Sequence, residues 1–225
     1  MELMLDTANL KEIEAGLEIY PISGVTTNPS ILQAEGGVDF FPHMLKIRKL
    51  IGQERSLHVQ VVAHDSEHII LEAERILSEL GPSTFIKIPV TEEGLKAIKL
   101  LAPRNINITA TAIYTTLQGM LAMLSGARYL AVYYNRMLNI DIDAAKVIKE
   151  LSSLLWANST NCQVLAASFK NISEITTAYA NGASCCTVPY SLLSTGLSMP
   201  SITKAVHDFT ANWEKAYGTR TLLDF

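Results

Sequence analysis

A lysine stands inside an apolar run that is typical of a buried β-strand. Lys87 is the centre of Phe-Ile-Lys-Ile-Pro-Val at residues 85–90, so alternation turns it away from Ile86 and Ile88. Burial disfavours the ammonium form of a lysine, and the neutral amine can attack a carbonyl to form a Schiff base. A buried ion pair, for instance with Asp6, is the structural alternative for Lys87.

Other polar side chains lie within or directly after the remaining apolar runs. Because parallel strands end at one rim, we expect these side chains to meet there. Thr109 and Thr111 alternate with Asn107 at period two, which predicts that all three share one face. The candidates are Asp6, Thr26, Asn28, Gln60, Lys87, Thr109, Thr111, Tyr133, Arg136, Ser168 and Lys170.

Each candidate also has a purely structural interpretation. Asp6 and Thr7 could cap the first helix, and Ser168 with Lys170 could begin another. The two threonines of the fifth run are ordinary β-formers, and Tyr133 could be a core aromatic residue. The residue types alone leave these alternatives open.

Histidines and cysteines show no metal-binding spacing. His64 and His68 stand four residues apart without further ligands nearby, and His58 is interpreted as a satisfied interior residue. No Walker or dinucleotide-binding glycine pattern is present. The sequence therefore predicts neither a metal nor a cofactor.

Composition narrows the class of protein. Hydrophobic residues make up 48% of the 225 residues and charged residues 18%, which excludes a disordered chain. The net charge of −4 and the scattered basic residues argue against nucleic-acid binding. No apolar run is long enough for a membrane span, and Met1–Asp6 does not resemble a signal peptide. The odd number of cysteines is not a disulfide framework, and it fits a reducing compartment.

Short apolar runs alternate with helical patterns along the whole chain, which predicts parallel βαβ units. Helical periodicity covers residues 38–51, 66–80, 91–101, 144–156 and 200–217. The predicted strands are Glu2–Asp6, Gly24–Thr27, Leu57–Val62, Thr84–Pro89, Ile106–Thr111, Tyr129–Tyr133, Gln163–Ser168 and Ser184–Val188.

Eight such units predict a single α/β domain over residues 1–225, a (β/α)8 TIM barrel with an additional C-terminal helix at residues 200–217. An open doubly wound sheet is the alternative, but it usually has fewer strands and a glycine-rich first turn. The first turn here contains no glycine.

Several segments together resemble the transaldolase-like class I aldolases, a family that includes fructose-6-phosphate aldolases and small transaldolases. The similarity covers essentially the whole chain. The matching segments are Leu-Asp-Thr-Ala-Asn at 5–9, Gly-Val-Thr-Thr-Asn-Pro-Ser at 24–30, Lys-Ile-Pro-Val-Thr at 87–91 and Ala-Ala-Ser-Phe-Lys at 166–170.

This resemblance implies roles for individual residues. Lys87 corresponds to the Schiff-base lysine, Asp6 and Asn28 to residues that hydrogen-bond substrate hydroxyls, and Thr111 to a threonine that holds a catalytic water. The sugar phosphate is held in the family at the positions of Arg136 and Ser168, with Lys170 where an arginine is frequent.

Two positions separate the branches of the family. Transaldolases carry glutamate on the third strand and phenylalanine at the end of the sixth, whereas this chain resembles the aldolase branch with Gln60 and Tyr133. The chain departs from its relatives at Thr109 and in a shorter loop without glycine after Arg136, which borders the acceptor side.

We therefore expect a class I aldolase that reversibly cleaves fructose 6-phosphate, or a related ketose, into dihydroxyacetone or hydroxyacetone and an aldehyde such as glyceraldehyde 3-phosphate. A transaldolase of the pentose phosphate pathway is the first alternative, and a non-catalytic sugar-phosphate-binding barrel is the second. The resemblance also implies a cytoplasmic, ring-built homo-oligomer, with a decamer as one arrangement, whose C-terminal helix packs on a neighbouring subunit.

Overall fold

Eight parallel β-strands close into a barrel in chain order. The strands are β1 (Glu2–Asp6), β2 (Ile22–Thr26), β3 (Ser56–Gln60), β4 (Phe85–Pro89), β5 (Ile108–Ile113), β6 (Tyr129–Tyr133), β7 (Gln163–Ala167) and β8 (Cys185–Val188). The computed structural model describes all 225 residues. Because β8 pairs with β1, the sheet has no free edge. The predicted (β/α)8 barrel is confirmed, and an open doubly wound sheet is excluded.

Eleven α-helices accompany the strands. They are α1 (Leu10–Ile19), α2 (Pro29–Ala34), α3 (Phe40–Ile51), α4 (Ser66–Leu80), α5 (Glu92–Leu101), α6 (Thr116–Leu124), α7 (Tyr134–Leu138), α8 (Ala144–Ala157), α9 (Ile172–Ala180), α10 (Tyr190–Leu197) and α11 (Pro200–Tyr217). Ala102–Arg104 and Leu222–Asp224 form short 3₁₀ helices. None of the helices combines the length and apolar character needed to cross a membrane.

The chain divides into two compact units, residues 1–190 and residues 191–225. The first unit contains all eight strands and every residue of the predicted site. In the second unit the Trp213 indole donates a hydrogen bond to the carbonyl of Arg220, and its ring packs on that of Tyr217.

Alternation along the strands stacks polar residues above an apolar layer. The apolar cluster consists of Met4, Phe85, Tyr129, Ala131, Leu165 and Cys185. Asp6, Lys87 and Tyr133 each follow a member of this cluster by two residues, so they share its interior face. They stand at or near the C-terminal ends of their strands, which is where TIM barrels carry their chemistry.

The observed boundaries differ from the predicted ones mainly at β2 and β5. β2 begins and ends earlier than predicted, so Thr27 follows the strand. Asn107 precedes β5, and its Oδ1 accepts a hydrogen bond from Arg128. The predicted start of this strand at Ile106 is therefore two residues too early, although the Asn107 carbonyl still accepts a hydrogen bond from the backbone of Ile86 in β4.

A bulge interrupts β5 just after Thr111. The pairing of β5 with β6 shifts register between Ala110 and Ile113, and Ala112 lies in the left-handed region with φ 59°. A bulge of this kind bends the strand and redirects the side chains beside it. Here it lies next to the threonine that contacts Tyr133.

Candidate active site

A cavity of about 290 Å³ opens at the C-terminal ends of the strands. Seven of the predicted site residues line it, namely Asp6, Asn28, Lys87, Tyr133, Arg136, Ser168 and Lys170. A larger cavity of about 830 Å³ lies beside the segments that precede β5, β6 and β7, and it contains none of the predicted residues. The smaller cavity is therefore the candidate active site.

The remaining predicted residues do not line this cavity. Thr26, Thr109 and Thr111 are completely buried in the barrel. Gln60 lines a separate, largely apolar cavity of about 480 Å³, together with Phe40 and other residues of α2, α3 and α4. These four residues can act on the site only through other groups or through a change in side-chain position.

Lys87 reaches the cavity from a buried position on β4. Only 4% of the residue is exposed, and Nζ donates a 2.9 Å hydrogen bond to the carbonyl of Thr27. Burial lowers the pKa of the Lys87 amine; the charge of Asp6 opposes this effect, and that of Arg136 adds to it. Lys87 takes part in no ion pair, so the proposed ion pair with Asp6 is not formed.

Asp6 accepts the first bond of a chain of hydroxyl groups. The Thr26 hydroxyl donates to Asp6 Oδ1 at 2.6 Å, and its oxygen lies 2.6 Å from the Thr187 hydroxyl. Since the only hydroxyl proton of Thr26 is used by Asp6, Thr187 must be the donor to Thr26. Burial raises the pKa of Asp6, whereas the Lys87 charge and the Thr26 hydrogen bond act in the opposite direction.

The first-helix capping role considered for Asp6 and Thr7 is filled by another residue. Asn9 is the N-cap of α1, and its side chain accepts from the backbone of Lys11 and Glu12. Asn28 has two roles. Its side chain caps α2 by accepting a hydrogen bond from the backbone of Ile31, and it also lines the cavity.

Tyr133 brings a phenol to the wall of the cavity. Its hydroxyl accepts a 3.1 Å hydrogen bond from Thr111, and the Arg136 guanidinium lies 4.6 Å from the centre of its ring. Burial raises the pKa of Tyr133, so the phenol keeps its proton at neutral pH and can donate it.

Thr109 belongs to a polar layer beneath Lys87. His58 Nδ1 lies 2.8 Å from the Thr109 hydroxyl, and His58 Nε2 lies 3.0 Å from that of Ser56. Burial, followed by the positive charge of Lys87, lowers the pKa of His58 well below its ordinary value. His58 is therefore neutral and hydrogen-bonded, as expected for a satisfied interior histidine.

Sequence reasoning missed Thr187 and Glu174. Thr187 had a detectable signal, because β8 was the one strand without an assigned polar residue and alternation places Thr187 inside the barrel. Glu174 had none, since a glutamate in the first turn of a helix is common. Its carboxylate is buried and accepts hydrogen bonds from Asn135 and Lys170.

Comparison of the sequence with models of known protein families agrees with this geometry. The sequence model of the transaldolase/fructose-6-phosphate aldolase family matches residues 3–222. The chain belongs to this family. A relative from Streptococcus pneumoniae (strain ATCC 700669 / Spain 23F-1), named "Probable fructose-6-phosphate aldolase", is 46% identical over 222 residues, which cover 99% of this chain and 100% of the relative.

Membership in the transaldolase/fructose-6-phosphate aldolase family confirms the resemblance stated from the motifs, and it makes the protein an enzyme of the aldolase and transaldolase type. No group of three or more His, Cys, Asp or Glu side chains is placed so that it could hold a metal ion. His68 instead lies beside Asp65 on the surface.

One side of the cavity of this family member is cationic. Arg136 and Lys170 line it together with Ser168, whose backbone adopts the left-handed region with φ 64°. The carbonyl of Ser168 accepts a 3.1 Å hydrogen bond from the backbone of Asn135. Two cations and a hydroxyl suit a phosphate group.

Proposed function

We propose that the protein is a Schiff-base aldolase that reversibly cleaves fructose 6-phosphate, or a related ketose, into dihydroxyacetone or hydroxyacetone and an aldehyde such as glyceraldehyde 3-phosphate. The observation that carries this proposal is the buried Lys87 amine at the wall of a cavity with one carboxylate, Asp6. An amine with a lowered pKa is nucleophilic near neutral pH.

The reaction begins when the Lys87 amine attacks the ketone carbon of the sugar. The resulting carbinolamine loses water to give a protonated imine, which accepts the electron pair of the breaking carbon–carbon bond. A base removes the proton from the hydroxyl on the carbon that departs. The carbon–carbon bond breaks, and this carbon leaves as an aldehyde. Asp6 in its ionised form stabilises the iminium cation, and Asp6 and Asn28 hold the hydroxyls of the three-carbon donor.

The enamine left on Lys87 is protonated on carbon and then hydrolysed. Tyr133 is the proton donor in this proposal, and it acts through a water held with Thr111 and Gln60. Two observations support this role. Thr111 donates a hydrogen bond to the Tyr133 hydroxyl, and the buried Gln60 Oε1 has no hydrogen-bond partner among the protein groups. A buried acceptor is normally paired, and water is a suitable donor.

The cationic side of the cavity fits the phosphate of the aldehyde. Arg136 can pair with two phosphate oxygens, while Ser168 and Lys170 add a hydroxyl and a second charge. Thr26 remains a candidate binding residue that acts through its hydrogen bond to Asp6. Thr109 remains a candidate because it pairs with Lys87 on the neighbouring strand. No cofactor is required, since the imine is the electron sink.

Lyase and transferase activity differ in the fate of the enamine. The glutamate that transaldolases carry at the position of Gln60 could exchange protons with the bound water, whereas Gln60 can only orient this water. The phenol of Tyr133 can protonate the enamine, which a phenylalanine could not do. We therefore propose net cleavage in carbohydrate metabolism rather than transfer in the pentose phosphate pathway.

We also propose that the enzyme is a cytoplasmic, ring-built homo-oligomer, such as a decamer, that binds a small sugar or sugar phosphate. The three cysteines are all free, which fits a reducing compartment. The single-domain assignment and the packing of α11 on a neighbouring subunit belong to the same proposal. Ile202, Val206 and Phe209 of α11 support it, because they are 43%, 57% and 71% exposed.

Borohydride trapping tests the imine. The wild-type enzyme, incubated with dihydroxyacetone and reduced, should gain a covalent adduct on Lys87, as mapped by peptide mass spectrometry. Lys87→Met keeps the length of the side chain but removes the amine, so we expect neither adduct nor turnover. A wild type without an adduct would leave only a sugar-phosphate-binding barrel, and an adduct in the variant would exclude Lys87.

Product analysis then separates cleavage from transfer. We expect fructose 6-phosphate alone to release free dihydroxyacetone at a rate at least comparable to transfer onto added erythrose 4-phosphate. Efficient transfer with almost no free dihydroxyacetone would identify a transaldolase instead.

A further inference from the structure

Glu174 is a buried carboxylate that the proposed reaction does not use. The residue is only 5% exposed, although it stands in the first turn of α9. It forms no ion pair with any lysine or arginine. Burying a carboxylate is costly unless hydrogen bonds replace the lost water.

Three donors from two different segments satisfy this carboxylate. Asn135 Nδ2 donates to Oε1 at 2.8 Å, and the backbone N–H of Lys170 donates to Oε2 at 2.8 Å. Asn171 Nδ2 donates to Oε1 at 3.0 Å, and Asn171 in turn caps α9 by accepting from the Glu174 backbone. A simple capping function would need only the contacts with Asn171.

The two further bonds connect the segments that build the cationic side of the cavity. Asn135 directly precedes Arg136, and Lys170 follows Ser168 by two residues. The backbone bond from Asn135 to the Ser168 carbonyl joins the same segments a second time. The Glu174 carboxylate therefore links the segment that carries Arg136 to the segment that carries Ser168.

We infer that Glu174 is a positioning residue that determines the preference of the enzyme for phosphorylated over unphosphorylated aldehydes. This inference rests on the proposed function, because it concerns the phosphate side of the same cavity. The carboxylate is too fully occupied by donors to bind substrate. It acts by keeping the Arg136 guanidinium and the Ser168 hydroxyl at a spacing that one phosphate group can span.

The test compares two aldehyde acceptors with dihydroxyacetone as the common donor. In Glu174→Ala the two segments lose their shared acceptor, so we expect kcat/KM for glyceraldehyde 3-phosphate to fall roughly tenfold more than for glyceraldehyde, which corresponds to one lost charge-assisted contact. Most of this change should appear in KM. Glu174→Gln retains one oxygen acceptor and should lose less selectivity in the same direction.

Ile175→Ala is the matched control. Ile175 is buried on the same helix, and its hydrocarbon side chain can form no hydrogen bond to either segment. Its truncation should lower the free energy of unfolding while leaving the selectivity between the two aldehydes unchanged. Equal losses for both aldehydes in the Glu174 variants, or the same selectivity change in Ile175→Ala, would reduce Glu174 to a structural residue.

A second readout does not depend on the aldol reaction. Inorganic phosphate should bind the wild type more tightly than Glu174→Gln by calorimetry, while borohydride trapping with dihydroxyacetone should be equal in the two proteins. Failure of trapping in the wild type would overturn the proposed function alone. Equal phosphate binding in the two proteins would overturn the role of Glu174.

Discussion

Lys87 and Asp6 depend on each other for their ionisation. Burial lowers the pKa of Lys87 and raises the pKa of Asp6, so burial alone favours the neutral form of both groups. The mutual attraction of their charges works against this. The hydroxyl chain through Thr26 adds a hydrogen bond that favours the Asp6 carboxylate, which is the form that can stabilise an iminium cation.

Thr187 should influence the pH dependence of the reaction, although it does not line the cavity. Thr187→Val removes the donor to Thr26, which weakens the bond from Thr26 to Asp6 and raises the pKa of Asp6. The acid limb of the kcat/KM profile should therefore move to higher pH by roughly 0.1–0.6 of a pH unit, because a neighbouring bond strengthens such a contact by about 10–30%. Steady-state kinetics between acid and neutral pH measure this shift.

Thr187→Ser provides the control for this prediction. The serine keeps the hydroxyl and loses only a methyl group, so its acid limb should coincide with that of the wild type. A shift shared by both variants would mean that packing at β8, and not the hydroxyl chain, sets the profile.

The candidate site could be predicted from the sequence where one strand supplies all the information. Lys87 in an apolar run, and Asp6 at the end of another, are signals of this kind. The bond between Thr26 and Thr187 joins residues 161 positions apart, so neither local sequence reports it. The role of Glu174 was equally hidden from the local sequence, because it depends on a hydrogen bond from Asn135 on a different segment.

At the scale of elements, α5 sits very close to the end of β4. A Cβ added to Gly94 would lie 2.0 Å from the carbonyl oxygen of Pro89, two residues after Lys87. Gly94→Ala must therefore push the helix away from the strand, and we expect a loss of about 1–3 kcal/mol in the free energy of unfolding. Urea denaturation measures this loss, and turnover should fall with it because β4 carries Lys87.

Gly16 offers a comparison on another helix. A Cβ there would meet the end of the Leu5 side chain, which can rotate, and alanine favours a helix by about 1 kcal/mol over glycine. Gly16→Ala should consequently cost less than Gly94→Ala. The opposite order in denaturation would contradict the close approach of α5 to β4.

Helix and strand periodicity predicted the element types well but missed the bulge in β5 and the short helix α2. The bounds of α4 and α11 agree with the prediction at residues 66–80 and 200–217. The bulge in β5 was not predictable, because Ala112 is not a residue type that favours a positive φ. Helix α2 was also missed, although Asn28 followed by Pro29 is a typical helix start.

At the scale of the whole molecule, closing the barrel determines which side chains can meet. Pairing of β8 with β1 brings Thr187 within hydrogen-bond distance of Thr26, from which an open sheet would separate it. The apolar cluster, with the buried His58 stacked on its Phe85 ring, lies nearer the N-terminal ends of the strands than Asp6, Lys87 and Tyr133. The barrel accommodates Lys87 at this level because its Nζ donates to the Thr27 carbonyl and reaches the cavity.

Helix α11 carries the molecular prediction about assembly. Ile202, Val206 and Phe209 recur at helical spacing and are exposed, while Lys204 and Lys215 lie on the opposite side of the helix. A contiguous apolar stripe on a surface helix marks a protein–protein contact. Val206→Asp combined with Phe209→Asp should therefore shift the protein to a smaller species in sedimentation velocity.

The control places two aspartates on the other side of α11 and adds no less negative charge than the first variant, because one of them replaces a lysine. Ala211→Asp combined with Lys215→Asp should disturb the helix to a similar extent but leave the sedimentation coefficient unchanged, because neither residue belongs to the stripe. If the stripe forms the subunit contact, the first variant should also dissociate more on dilution than the wild type, since removing buried apolar area weakens association. A wild type that already sediments as a monomer, or equal dissociation of both variants, would show that the stripe does not hold the subunits together.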